Sequence, residues 1–224
     1  METAVCLVSG GMDSLVAAAL AREKGCRLAF LHVNYGHLTE SRELESFRQI
    51  VDYYRVDHHL VIDLGFLRKI GGSALTDPTI PLPPGELGRK EIPASYVPFR
   101  NGNLLAMAAS WAEVLGARYI YIGAVEEDSS GYPDCREVFF RAFNLAIAEG
   151  TKPETRTQIV APLLHLGKKQ IVETGVRLGV PFELTWSCYR SSDLACGTCD
   201  SCLLRLKGFS EAGVVDPIPY ASRV

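Results

Sequence analysis

Ala4-Val5-Cys6-Leu7-Val8-Ser9-Gly10-Gly11-Met12-Asp13-Ser14 runs from five apolar residues through two glycines into a polar stretch. A short, continuous apolar run ended by glycines is the pattern of a strand buried on both faces. Leu15, Val16, Ala19 and Leu20 follow at helical spacing, and Gly25 stops the helix. The glycines let the backbone turn tightly and approach a ligand closely. The hydroxyls of Ser9 and Ser14 and the first free amides of the helix point into the same space, where the helix dipole favours an anion. This composition suits a phosphate cradle, in which Asp13, itself negative, orients the turn or holds a magnesium ion. No Lys-Ser or Lys-Thr follows the glycines, so this is not the Walker pattern. The pattern alone also fits a plain strand-to-helix turn with Asp13 or Ser14 as N-cap.

Working outward, 28–33 and 59–62 read as further strands, and 43–54 as a helix with Leu44, Phe47, Ile50, Val51 and Tyr54 on one side. Strand and helix alternating in this way predict an α/β fold, a parallel sheet with right-handed crossovers and helices on both faces. The alternation resumes with helix 102–115, strand 119–123, helix 138–148, strand 158–161 and helix 168–178. Between the two halves lie 38 residues, 63–100, with six of the twelve prolines. A loop of that length inside a compact domain is usually functional or disordered. The expected division is a nucleotide-binding domain over 1–183 and a small C-terminal segment over 184–224.

That segment carries Cys188, Cys196, Cys199 and Cys202, spaced C-x7-C-x2-C-x2-C. Tetrahedral zinc takes four soft ligands at about 2.3 Å, and C-x2-C turns deliver thiolates in pairs at that reach. Four thiolates leave no open position for water, so the site is expected to be structural. Arg190, Arg205 and Lys207 are expected to offset its negative charge. Seven cysteines in a chain of 224 residues, four of them at metal spacing, disfavour a disulfide scaffold and indicate a reduced, cytoplasmic protein. Cys6 and Cys26 read as small core residues. With 23 basic and 26 acidic residues, the net charge of −3 is wrong for a nucleic-acid coat, so no nucleic-acid partner is expected. The N-terminus has no basic region ahead of a signal-type apolar segment, and no apolar run approaches a bilayer span, so no membrane partner is expected either.

Ser9-Gly10-Gly11-Met12-Asp13-Ser14 resembles the SGGxDS signature of the PP-loop ATP pyrophosphatases, which bind ATP and adenylate a carbonyl or carboxyl group. Within that superfamily four segments resemble the 7-cyano-7-deazaguanine synthase family. They are Ser95-Tyr96-Val97-Pro98-Phe99-Arg100-Asn101, Ser130-Gly131-Tyr132-Pro133-Asp134-Cys135-Arg136, Leu184-Thr185-Trp186-Ser187-Cys188-Tyr189, and the run from Ala195 through the last three cysteines to Phe209. The likeness spans nearly the whole chain. It departs from the family at Tyr35-Gly36-His37-Leu38-Thr39-Glu40, where glutamine is expected in place of His37.

The resemblance implies an ATP-dependent ligase of queuosine biosynthesis. Such an enzyme converts 7-carboxy-7-deazaguanine and ammonia to the 7-cyano base by activating the carboxylate, forming the amide and dehydrating it. Val8, Ser9, Gly10, Gly11, Met12, Asp13 and Ser14 are then expected to hold ATP with Mg2+. Asp13, Ser14, Lys168 and Arg100 are expected to act in catalysis, with Lys168 reaching the phosphates as a point charge. Arg100, Asn101, Tyr132 and Asp134 are expected to hold the deazaguanine, Arg100 by bidentate contact with a carboxylate or phosphate. Asp134 is expected to accept N–H groups of the base, or else to cap the helix that follows it. A homodimer and one zinc per chain are implied as well. Two rivals remain on sequence. A tRNA-modifying PP-loop ligase would want a basic surface, and a zinc-ribbon binding module would leave the first 180 residues unexplained.

Overall fold

A computed structural model describes residues 1–89, 91–126 and 131–221; Ser130, quoted above, lies outside them. Five strands form one parallel sheet in the order β3-β2-β1-β4-β5. They are β1 (Thr3–Leu7), β2 (Arg27–Asn34), β3 (His58–Asp63), β4 (Tyr119–Ile122) and β5 (Gln158–Val160). The helices between and after them are α1 (Met12–Glu23), α2 (Glu40–Tyr54), α3 (Phe66–Ile70), α4 (Arg100–Leu115), α5 (Glu137–Gly150), α6 (Lys168–Arg177) and α7 (Asp200–Glu211).

β1 lies at the centre and is buried throughout, as its apolar run requires. Its side chains alternate between two cores. Ala4 and Cys6 meet α1, α2, α6 and α7 through Leu15, Phe47, Ile171 and Phe209, while Val5 and Leu7 meet α4 and α5 through Leu105, Ala108 and Phe140. Helices therefore cover both faces, as expected. The winding direction reverses between β1 and β4, so the crevice beyond their carboxyl ends is the natural ligand site of this topology.

β3 is a half-exposed edge strand, since only β2 flanks it. Two expectations change. The region 63–100 is not all loop, because it begins with α3 and its middle is hydrogen-bonded to the C-terminal segment. Two helices also start earlier than their apolar periodicity suggests: α2 at Glu40 and α4 at Arg100. Periodicity marks only the buried stripe, and a polar first turn escapes it.

The C-terminal segment has its own small core of Trp186, Cys188, Ala195, Cys199, Cys202 and Ile218. Arg205 ties it to the rest. This arginine is 1% exposed and forms a two-point ion pair with Asp216 (Nε to Oδ2 2.7 Å, Nη2 to Oδ1 2.9 Å). It also donates to Thr185 Oγ1 at 2.7 Å and to the Phe182 carbonyl at 3.3 Å. A buried guanidinium is tolerable only when its donors are so matched. Nearby, α7 rests on the start of α6, where a Cβ at Gly208 would stand 2.7 Å from Lys168 Cβ.

Candidate functional site

A cavity of about 280 Å³ opens at the carboxyl ends of β1, β2 and β4. The glycine turn forms one wall. Gly11 is the N-cap of α1, with extended backbone (φ −83°, ψ 161°). The alternative of Asp13 or Ser14 as cap therefore fails, because both already lie in the first helical turn. Ser14 Oγ donates to the Gly11 carbonyl at 2.8 Å and accepts the Ser9 N–H at 3.2 Å, while Ser9 Oγ accepts the Gly11 N–H at 3.2 Å. The two hydroxyls thus brace the turn. The first amides of α1 have no acceptor within the helix, the arrangement in which a helix start can receive an anion. Gly10 has φ +94°, and a Cβ there would stand 2.6 Å from the Glu43 carbonyl. Only glycine fits, and Gly10 lies beneath the turn rather than in the cavity wall. Its carbonyl accepts the Trp186 N–H at 2.8 Å, which joins the C-terminal segment to the turn.

Asp13 and Lys168, 155 residues apart, meet at 2.8 Å (Oδ2 to Nζ). The Lys168 side chain is 11% exposed, so it is not a solvated helix-start lysine. The second Asp13 oxygen, Oδ1, is buried and accepts no hydrogen bond. A carboxylate oxygen left bare in this way is costly unless a donor or cation completes it.

At the other end of the cavity, Arg100 opens α4 just after Phe99, whose backbone is left-handed (φ 54°). That conformation is strained for a bulky residue. It is held by the Phe99 N–H donating to Tyr96 Oη at 3.0 Å and by the Phe99 ring standing edge-on to Phe139. The bend turns Arg100 inward. Its Nη1 donates to Tyr35 Oη at 3.2 Å, and the guanidinium lies 5.5 Å from the Tyr35 ring centre. No carboxylate of a described residue lies within ion-pair distance of it. Burial opposes the cation, but the hydroxyls of Tyr35, Tyr132 and Tyr189 and the Cys135 thiol outweigh it and raise the Arg100 pKa. In turn, burial pushes the Tyr35 hydroxyl up to about 12, so it stays a neutral partner. Tyr132 lines the same wall, with its hydroxyl 3.0 Å from Ser95 Oγ.

Asp134 departs from the base-reading expectation, whereas Asn101 lines the cavity. Asp134 is 2% exposed and lies outside the cavity wall. Its Oδ2 accepts the Asn101 N–H at 2.8 Å, so it caps the start of α4, not of α5. Burial raises its pKa, against the Asn101 hydrogen bond and the Arg100 charge, which lower it. The Asn101 amide nitrogen donates to the Asp134 carbonyl (3.0 Å) and to Cys135 Sγ (3.2 Å). Both side chains lock the 3-10 turn Pro133–Cys135 onto α4 and so position Arg100 and Tyr132.

The four expected cysteines come together, with all sulfurs within 4.8 Å of one another and Cys196 Sγ 3.9 Å from Cys202 Sγ. Sulfurs on a zinc tetrahedron lie about 3.8 Å apart, whereas a disulfide needs about 2 Å, so the cluster is compatible with zinc. Backbone N–H groups of Arg190, Ser191 and Cys196 donate to Cys188 Sγ, and those of Thr198 and Cys199 to Cys196 Sγ, at 3.3–3.4 Å. The donors at the sulfurs are therefore backbone amides, in place of the basic side chains expected there. The three basic side chains are engaged elsewhere: Arg205 with Asp216, Lys207 with Glu211, and Arg190 with the carbonyls of Leu82 and Pro83 at 2.8 Å. The last contact fastens the proline-rich loop to the knuckle. So do the bonds from Gly85 N–H to the Thr198 carbonyl (2.8 Å) and from Glu86 N–H to Asp200 Oδ1 (2.7 Å). The same loop continues to Pro93 and Ser95 in the cavity wall.

Sequence reading missed Tyr35, Glu43, Gly123 and Trp186, which also line the cavity. Gly123 had a usable signal as the glycine ending a buried parallel strand. A Cβ there would stand 2.6 Å from Ser14 N, so β4 abuts the turn. Glu43 sits on a helix face that reads as solvated and had none. Among the described residues no helix is long and apolar enough to cross a membrane.

Comparison with known proteins agrees with this geometry. The family model described as "Queuosine biosynthesis protein QueC" matches residues 3–213. The 7-cyano-7-deazaguanine synthase of Chlorobaculum parvum is 59% identical over 220 residues, covering 98% of this chain and 97% of that one. That of Chlorobaculum tepidum is 58% identical with the same coverage. The solved NMN synthetase of Francisella tularensis shares the fold, with a TM-score of 0.51 and 19% identity over 96% of this chain and 73% of the other. A glycine turn and Arg100 on one cavity, beside a four-cysteine knuckle, accord with these matches, and the chain belongs to the QueC family of queuosine biosynthesis proteins.

Proposed function

We propose that this chain converts 7-carboxy-7-deazaguanine, ammonia and ATP to 7-cyano-7-deazaguanine. One observation carries the reading most directly. A guanidinium without a carboxylate partner among the described residues shares a cavity with a glycine turn built for phosphate. Arg100 receives the substrate carboxylate, and Tyr35, Tyr132 and Tyr189 surround the base. The turn residues Val8, Ser9, Gly11, Met12 and Ser14 line the nucleotide end, with Gly10 shaping the turn from beneath. Lys168 steers the phosphates, and Asp13 holds Lys168 while offering its bare Oδ1 to the magnesium that accompanies ATP.

The chemistry needs this division. A carboxylate resists nucleophiles because its charge repels them and oxide leaves poorly. ATP supplies the phosphate-bearing leaving group that makes the oxygen dispensable. Ammonia attack then gives the amide, and activation of the amide oxygen followed by its elimination gives the nitrile. What the protein contributes is alignment of the two reactants and neutralisation of charge at the turn. Zinc at the four cysteines is structural, residues 184–224 form a segment docked on 1–183, the protein works in the cytoplasm, and two copies associate. Exposed Val138 and Leu145 on α5 and Val114 on α4 favour such an association. The deciding experiment incubates the protein with the acid, ammonium and ATP-Mg and follows products by mass spectrometry. The nitrile should appear, tRNA should not change its rate, and Arg100→Met should raise KM for the acid at least tenfold. Absence of nitrile from the folded wild-type protein defeats the reading.

A further inference from the structure

We infer that Glu43, held by His37, is the ammonium site of this reaction, which takes the assignment above as its premise. Three carboxylates line the cavity: Asp13, Asp200 and Glu43. Asp13 is occupied by Lys168, and Asp200 accepts the Glu86 N–H and faces Arg89. Glu43 differs. Among the described residues its carboxylate has one partner, His37 Nε2 at 3.1 Å, and that contact lacks hydrogen-bond alignment. The Glu43 side chain is only 13% exposed. A partly buried carboxylate short of donors favours an arriving cation that brings N–H groups.

Its position fits the bond to be made. The Glu43 carbonyl lies against Gly10 of the phosphate turn. His37, whose Nε2 lies 3.1 Å from Glu43, stacks on Tyr35 with ring centres 4.3 Å apart, and Tyr35 Oη accepts from Arg100. Glu43 and His37 therefore bridge the nucleotide end and the carboxylate end, between which the acyl carbon must lie. As the nitrogen attacks, an ammonium ion seated on Glu43 passes one proton to the carboxylate, the acceptor at hand. The freed lone pair bonds to the acyl carbon, and the bond from that carbon to the phosphate-bearing oxygen breaks with its electron pair. The surplus N–H proton of the adduct leaves to water. His37 acts as a positioning residue that orients Glu43.

The experiment compares two reactions of the same enzyme. Acid-to-amide conversion consumes ammonium, whereas conversion of supplied 7-amide to nitrile does not. Glu43→Gln should raise KM for ammonium at least tenfold and leave the amide-to-nitrile rate within twofold. His37→Gln keeps a polar side chain beside Glu43 and should behave as wild type. His37→Phe keeps the stack on Tyr35 and should reproduce the Glu43→Gln defect. An unchanged ammonium KM overturns the inference. So does an equal loss in both reactions, or recovery by excess Mg2+, which would make Glu43 a metal ligand. A wild-type enzyme that makes nitrile while Glu43→Gln keeps its ammonium dependence defeats this inference alone; a wild type that makes none defeats the premise.

Discussion

The glycine turn and the cysteine knuckle are both small, local and rich in backbone donors, yet they are built to opposite ends. In the knuckle the donors are spent, with five amides pointing at two sulfurs and the four thiols enclosing one point. In the turn the hydroxyls brace each other, while among the described residues one oxygen of Asp13 has no hydrogen-bond partner. A saturated polar cluster holds a shape, and an unsaturated one waits for a ligand. The two are mechanically joined, since Trp186 donates to Gly10 just ahead of the cysteines and residues 82–86 hang from the knuckle on their way to the cavity wall.

The contrast is broken most sharply at Asp13. Asp13→Ala should lower ATP turnover by about 10²–10³-fold, a loss of the size seen when one charge-stabilising group is removed. Zinc content and circular dichroism should stay unchanged. Wild-type turnover in the folded variant would show that the turn is merely structural. Metal removal tests the other side. A chelator should open residues 184–221 first, read as hydrogen exchange in α7 ahead of the central strands, because metal binding and local folding are coupled. Turnover should fall with it as the 82–86 strap loosens. Intact activity in the metal-free protein would separate the two regions.

The smallest effect concerns His32, buried on β2, with Nδ1 3.0 Å from the Val8 carbonyl and Nε2 3.0 Å from Asn34 Oδ1. Burial lowers its pKa below the ordinary 6.5, against the opposing pull of these partners and Glu43. The neutral ring is the folded form, so its stabilisation is complete above about pH 6.5 and is lost as pH falls toward the lowered folded value. Thermal unfolding at pH 7 and pH 5.5 should show a drop in Tm that His32→Gln reduces. An equal drop in the variant would place the titration elsewhere.

Much of this was legible in the chain itself. The alternation of buried strand and amphipathic helix specified the parallel sheet, because burial on two faces needs continuous apolar runs and helices to cover them. The cysteine spacing brought four sulfurs together because ligands a few residues apart can meet through local turns. Glycines ending a buried strand marked the turn that walls the cavity for the same reason. The tertiary structure decided what depends on contacts between distant residues. Asp13 meets Lys168 across 155 positions, Arg100 is aimed by a strained Phe99 and received by Tyr35, and Asp134 turns from the cavity to cap α4. Periodicity records how much of a side chain is buried, and it carries no information about which remote group lies opposite.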